Sequence, residues 1–529
     1  MKQIICIIIL LSLAGILTAQ NPSIVWQKTI GGNNRDVLEC IIKTNDNGML
    51  LGGISLSNIS GEKNQSCRGN DDFWVVKLDE QKNMVWQTTI GGSGTDYLYS
   101  IIQTPDGGYL LGGSSYSNIS GEKTENSRGL NDIWIVKLNS SGAILWQKTI
   151  GGIGGENLNS IANTADGGYI LGATAYMSEI SGEKTEPNYG ETDYWVVKLN
   201  STGSIVWQKT YGGTSFDDIK SVKQTVDGGY IITGDSHSPI SGVKTENSVA
   251  WDYWIIKTDA TGNIEWQNTI GGNHADMFPH LIICEDNTYL IAGTSSSPLS
   301  GDKTENSYGE RDYWVVKLDT NGLIIWDKTL GGSEFEQVGG IIQTPDGNYI
   351  IGGMSYSSIS GIKTENSRGS ADFWLVKLNA TGTNVLWDKT IGGNLSDSVY
   401  SLALYNNDLF IGGNSWSSIS GEKTHNSRGE NDYWIVQLGN VTLGTNEYAN
   451  NTPFIYPNPT NDGHLNIDLS KTYNHINTKV YNVTGQLIFE KNYSNISIIS
   501  DTFLNQSGMY FIQLELDFTK KINLKAIKN

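Results

Sequence analysis

Apolar and polar positions alternate along this chain in a unit that returns about every sixty residues. Tryptophans at 26, 86, 146, 207, 266, 326 and 387 form one series, and those at 74, 134, 195, 254, 314, 374 and 434 a second, each with steps of 59 to 61 residues. In the copy spanning Trp86 to Leu145, period-two alternation bounded by turn residues predicts four strands, at residues 97–104, 109–114, 133–138 and 143–150. Pro105-Asp106-Gly107-Gly108 joins the first two and Asn139-Ser140-Ser141-Gly142 the last two. Both are hairpin segments in which glycine supplies the positive φ of a tight turn. The connection from the second strand to the third is long, residues 115–132, and a Gly-Gly pair opens the next unit.

Four antiparallel strands repeated seven times predict an all-β chain folded as a seven-bladed β-propeller. The ends of the array support closure. It begins with a lone fourth strand at 24–30 and finishes with three strands, the last at 433–438, so the N-terminal strand is expected to complete the last blade. Closure removes the open edges that an array would otherwise leave. The alternative is an open solenoid, whose ends call for polar caps that the pattern lacks. After residue 438 the tryptophan period stops. Residues 439–453 are expected to form a linker, and 454–529 a small C-terminal β-sandwich with strands at 465–469, 479–483, 487–490, 509–516 and 521–526.

Composition refines this. With 62 Gly, 10 Pro, 16 Trp and 25 Tyr in 529 residues, the chain suits many short strands around an aromatic core. A formal charge of −19 opposes phosphate backbones, so nucleic acid is not an expected partner. Residues 1–20 are expected to be a signal peptide, with Lys2, an apolar run from Ile4 to Leu17 and Ala19 near the cleavage point. An uncleaved anchor is the alternative, but the run is shorter than the ~20 residues of a membrane span, and no other run provides a transmembrane segment. Cys40, Cys67 and Cys284 form neither a disulfide framework nor a zinc spacing, although Cys40 and Cys67 share one repeat and could pair.

The unit resembles the SBBP-type seven-bladed propeller repeat. The resemblance rests on Trp146 followed by Gly151-Gly152 and an acidic residue, the Asp166-Gly167-Gly168 turn, and Asp193-Tyr194-Trp195-Val196-Val197-Lys198-Leu199 running into Ser201-Thr202-Gly203. It covers 24–438 and implies a fold, not an activity. The hairpin of the last two strands also resembles the tryptophan hairpin of quinoprotein propellers, but no cofactor is carried over from it. The C-terminal segment resembles the type A sorting domain of the Bacteroidetes type IX secretion system through Tyr456-Pro457-Asn458-Pro459, Gly463, Val480-Tyr481-Asn482-Val483-Thr484-Gly485-Gln486, Gly508-Met509-Tyr510-Phe511 and a basic end at Lys520, Lys521, Lys525 and Lys528. That resemblance implies the type IX machinery as a partner, export across the outer membrane, and a mature protein that is extracellular or attached to the cell surface.

In a propeller the fourth-to-first links and the second-to-third loops emerge on one face, and loops are where binding residues concentrate. Three rings are expected there. The acidic ring Asp36, Asp96, Glu156, Asp217, Asp276, Glu336 and Asp397 would either cap turns or, as the one metal candidate, hold Ca²⁺. A second ring comprises Lys63, Lys123, Lys184, Lys244, Lys303, Lys363 and Lys423, which with an Asp before each third strand are expected to tie the loop down as exposed pairs. The third varies between copies: Leu56, Tyr116, Tyr176, His237, Ser296, Tyr356 and Trp416. Its aromatic members suit stacking on a glycan, with inter-blade packing as the alternative. Repeat four departs from the pattern at Val243, Val249, Ala250 and Trp251, so Trp251 joins the candidates. No nucleophile elbow, HExxH or P-loop is present. The expectation is an exported binding or adhesion protein for a glycan or a protein. Polysaccharide cleavage by a carboxylate pair and a structural surface-layer role are the alternatives.

Overall fold

The computed structural model describes residues 21–176, 179–442, 454–456, 460, 462–517 and 520–528, in two compact units, one ending at Val441 and one beginning at Thr442. The signal peptide and most of the expected linker lie outside the described residues.

The first unit contains seven four-stranded antiparallel sheets. In the second blade the strands are Asp96–Gln103, Tyr109–Ser115, Asp132–Leu138 and Ile144–Ile150, within a residue or so of the expectation. The second and third strands are buried along their whole length, being covered by neighbouring blades on both faces. The fourth keeps half-exposed and exposed positions because it forms the outer edge.

The seventh sheet places Ser23–Ile30 beside Asp432–Gly439, so the N-terminal strand does complete the last blade. Each innermost strand packs against the next, and Asp397–Tyr405 packs against Asp36–Lys43, which closes the ring. The closing junction uses the same chemistry as the others. The rings of Phe73 and Trp134 lie 5.0 Å apart between the first two blades, and those of Tyr433 and Trp74 lie 5.0 Å apart where the seventh meets the first. The tryptophans of the third strands are fully buried, and in the seventh blade the Trp434 indole donates to Gln27 Oε1 at 3.1 Å. The other tryptophan series covers the outer rim: Trp86 packs on Tyr109 of the following blade, and its indole donates to Ser140 O.

The Gly-Gly pair has a packing reason. A Cβ on Gly91 would lie 2.0 Å from Asp72 Oδ1, and one on Gly92 would lie 2.5 Å from the Ser117 Cβ of the next blade. The link therefore threads between a buried carboxylate and a neighbouring loop, where no side chain fits.

Two expectations change. The propeller continues to Val441, which is buried and accepts a hydrogen bond from Lys377 Nζ, so the linker starts later than residue 439. Cys40 and Cys67 are free thiols; Cys67 donates to Ser55 O and Ser57 O, the bonds that Ser127 Oγ makes in the next blade.

The second unit is a sandwich of a three-stranded and a four-stranded sheet. Leu465, Ile467 and Leu469 from one pack on Val480, Ile512 and Leu514 from the other. Phe454–Tyr456 and Ile496–Thr502 are strands that the alternation did not reveal.

Candidate functional site

The long-loop face is built from the link that opens each blade and the loop that follows its second strand. All seven acidic-ring residues stand at or next to the start of an innermost strand with no exposed surface. Asp96 accepts the Gly92 N–H at 2.7 Å and the Ser117 hydroxyl at 2.9 Å, and Ser115 adds a third bond. The N–H of Gly32, Gly152, Gly213, Gly272, Gly332 or Gly393 makes the same bond to Asp36, Glu156, Asp217, Asp276, Glu336 or Asp397. Each carboxylate thus closes its own turn. Among the described residues no three His, Cys, Asp or Glu side chains gather to hold a metal ion.

The lysine ring corrects the sequence reading, because these are not exposed pairs. All seven side chains are buried. In six blades the ammonium lies 4.9–5.5 Å from the ring centroid of that blade's third-strand tryptophan. Lys184, Lys303 and Lys363 also donate to a fourth-strand Thr hydroxyl at 2.6–2.7 Å. Among the described residues none forms a direct ion pair with the Asp before the third strand. The loop folds back over the indole, and the long apolar stem fits the gap between sheet and loop. Burial pushes the Lys123, Lys184, Lys244, Lys363 and Lys423 ammonium groups down to about 8, against the pull of the two nearest carboxylates. Burial likewise raises Asp72, Asp193 and Asp252 to about 7, with the acid of the following blade adding to it. The result is a continuous buried circle of alternating charge beneath the loops.

Above that circle the third ring reaches solvent. Tyr116 is 48% exposed, Tyr356 37% and Trp416 42%, so each presents part of its ring to solvent. His237 is exposed and Tyr176 half-buried. In blade four, His237 and Phe216 both lie against Trp251, at 5.5 and 6.1 Å between centroids, and make a three-ring cluster. Phe216 was not among the candidates, nor was Phe335, which packs edge-on against Tyr356. Both directly precede an acidic-ring residue, the signal that would have found them.

Neighbouring loops are clasped. Arg68, Arg128, Arg368 and Arg428 reach Glu122, Glu183, Glu422 and Glu62 of the following blade at 2.5–2.7 Å. Where the Arg is replaced by Tyr189 or Tyr308, the facing residue is Val243 or Ile362. The departure of repeat four at Val243 is thus one half of a complementary pair.

The axis holds a cavity of about 510 Å³ lined by all seven innermost strands. Every one of these strands has a break in register at the same place, between Leu38 and Cys40 in the first blade and at the matching step in the others. A β-bulge frees one residue from the ladder and re-aims its side chain. Around the ring the freed residues are Glu39, Tyr99, Asn159, Lys220, Phe278 with Pro279, Gly339 and Tyr400. Nearly all line the cavity, together with Lys223 and His280. Sequence reasoning missed this set. Its signal is the column three residues after each acidic residue, where the chemistry changes almost every time. Glu39 is the single carboxylate among the lining residues, so the carboxylate pair required for glycoside cleavage is not in this cavity.

In the C-terminal unit Pro457, Asn458 and Pro459 lie outside the described residues. Gly485 has φ +80° in the turn after Ile476–Asn482, where Asn482 Oδ1 accepts the Thr484 and Gln486 N–H groups. Gly508 opens the strand Gly508–Leu516, and buried Tyr510 donates to Gln506 O at 2.7 Å. Residues 454–529 match the secretion system C-terminal sorting domain. This domain supports export by type IX secretion and implies interaction with that machinery.

The chain is also similar to Regulatory protein FlaEY of Caulobacter vibrioides, 22% identical over 307 residues, which make up 51% of this chain and 31% of that protein. It thus spans about a third of the length of that curated relative. Among solved structures, a Dyadobacter fermentans protein of unknown function is 10% identical with a TM-score of 0.41, covering 79% of this chain and 98% of its own. The Neurospora crassa Pan2 WD40 domain is 10% identical with a TM-score of 0.41, covering 79% and 97%. A member of the duf4221 family from Bacteroides vulgatus is 9% identical with a TM-score of 0.32, covering 79% and 97%.

Proposed function

We propose that this chain is an exported, non-enzymatic binding protein whose propeller takes a glycan on its long-loop face. The observation that carries the reading is the exposure of Tyr116, Tyr356 and Trp416 at the start of their loops, at positions whose counterparts differ from blade to blade. Flat aromatic rings held on a rigid scaffold suit the apolar faces of sugar rings, and the cost in conformational entropy is low. The His237, Phe216 and Trp251 cluster extends the same surface in blade four. Variation around the ring suits an asymmetric ligand. Residues 1–20 act as a signal peptide, and the sorting domain delivers the propeller to the outside of the cell, where it stays at the surface or is released.

Binding of the full chain to an array of glycans, beside one of extracellular proteins, tests the ligand class. The expected result is retention of a glycan that is lost when Tyr116, Tyr356 and Trp416 are all changed to Ala, with the melting temperature unchanged. Retention of a protein alone, or of the glycan by the triple variant, overturns the aromatic site. Deletion of 454–529 is expected to leave the protein inside the outer membrane.

A further inference from the structure

The axial cavity is lined by an acid and a base, Glu39 and Lys223, that the protein leaves without partners among the described residues. Glu39 enters it from the bulge of blade one and makes no hydrogen bond or ion pair among the described residues. Its neighbours in the ring of bulge residues are Tyr99 of blade two and Tyr400 of blade seven, which line the same cavity. A carboxylate between two aromatic rings is the arrangement that holds an organic ammonium ion, the acid supplying the counter-charge and the ring faces a polarisable wall.

Across the ring, in blade four, Lys223 lines the same cavity and also lacks a partner among the described residues. At its position the other blades carry Ile42, Ile102, Ala162, Ile282, Ile342 and Ala403, of which Ile282 lines the cavity with Leu281, Ile341 and Leu402. Lys220, one bulge position away, is different: it lies 4.0 Å from buried Asp235 and 5.2 Å from the Phe278 ring. Asp235 in turn accepts the Phe278 N–H at 2.7 Å, and this helps hold Phe278 at φ +58°, a conformation an aromatic residue rarely adopts. Blade four thus contains one satisfied lysine that shapes the wall and one unsatisfied lysine that faces the space.

An ionisable group held out of bulk water without a partner is costly, and a chain that keeps an acid and a base in this state in one cavity is complementary to a ligand that brings both counter-charges. We propose that the axial cavity binds a small zwitterion, with its ammonium group at Glu39 between Tyr99 and Tyr400, its carboxylate at Lys223, and a short apolar spacer along Leu281, Ile341 and Leu402. The volume suits a small molecule. Enclosure raises the empty-state Glu39 carboxyl to about 8, so arrival of an ammonium group near neutral pH displaces a proton. The proposal does not depend on the glycan reading.

Isothermal titration of the full chain with 4-aminobutyrate, 6-aminohexanoate and 8-aminooctanoate, each beside its alkylamine and its carboxylate alone, tests the proposal. One spacer length is expected to bind at least tenfold more tightly than either single-charge partner, releasing a proton at pH 7. Glu39→Gln is expected to reduce it to the affinity of the carboxylate, and Lys223→Met to that of the amine. Neither variant loses melting temperature, since each removes an ionisable group that has no partner in the protein. No binding by any probe, equal binding of a zwitterion and its single-charge partners, or full affinity in both variants overturns the proposal.

Discussion

At the scale of single residues, position in the repeat and physical role diverge. Gly91 and Gly167 are both recurrent glycines, but for different reasons. Gly91 sits where a Cβ would meet Asp72 Oδ1 at 2.0 Å, whereas Gly167 has nothing within 4 Å and is glycine for its φ of +79°. Gly91→Ala is therefore expected to cost about 3 kcal/mol or more, since the buried carboxylate has nowhere to go. Gly167→Ala should cost about 1 kcal/mol, the strain of a left-handed alanine. Denaturant melts of the two variants separate these values, and equal losses would contradict the packing account. The same logic makes Tyr116, Tyr356 and Trp416 the reverse of the buried tryptophans. Their replacement by Ala should change stability by less than about 0.5 kcal/mol each, while Trp134→Ala, at a fully buried ring, should cost about 3–5 kcal/mol.

At the scale of the element, the loop after the second strand is held by charge inside the protein. In the sequence its Lys and Asp look like partners across a solvated loop, since a recurrent pair of opposite charges is as compatible with the surface as with the interior. Burial was not legible because it depends on the next blade lying against the loop. Lys123 stands near Asp96 and Asp132, so Lys123→Met removes the cation that offsets two buried carboxylates and is expected to destabilise by about 1–3 kcal/mol at pH 7. The deficit should shrink at pH 5, where the carboxyl groups can take protons. The intact protein should respond in the same direction. Desolvation raises Asp72, Asp193 and Asp252 to about 7 and Asp312, Asp372 and Asp432 to about 6. A raised carboxyl contributes stability that is complete below its unfolded value near 4 and is lost as pH rises through 6 to 7. The lysines, lowered to about 8, contribute stability above their unfolded value that is lost as pH falls through 8. Melting curves are thus expected to reach a shallow minimum between pH 7 and 8 and to rise towards pH 5, and a monotonic fall on acidification from pH 8 would contradict this ring.

At the scale of the whole molecule, the count of strands at the two ends carried most of what could be read in advance. Blade number, closure and the identity of the long-loop face all follow from where the tryptophan period begins and stops. The axial cavity did not, because the bulge shifts the alternation by a single residue within an eight-residue strand, and the column it creates looks like noise in the repeat. Closure also makes the least connected strand decisive. Ser23–Ile30 is the outer edge of the last blade, yet Gln27 receives the Trp434 indole and donates to Glu422 O at 2.6 Å, and Ile30 packs in the core shared by blades seven and one. Without this strand, Asp432–Gly439 becomes an edge with unpaired backbone and a buried apolar face turned to solvent. Gln27→Ala should cost about 1–2 kcal/mol, because the buried indole N–H loses its acceptor. Deletion of residues 21–30 should do far more, opening the ring between blades seven and one while leaving the sheets of blades two to six intact. The expected readouts are a marked drop in melting temperature and concentration-dependent association on a sizing column, as the new edge pairs with that of another copy. Adding the peptide 21–31 in excess should restore a monomer. A deletion variant that melted like the intact chain and stayed monomeric would mean that the contacts between blades, not the shared sheet, hold the ring closed.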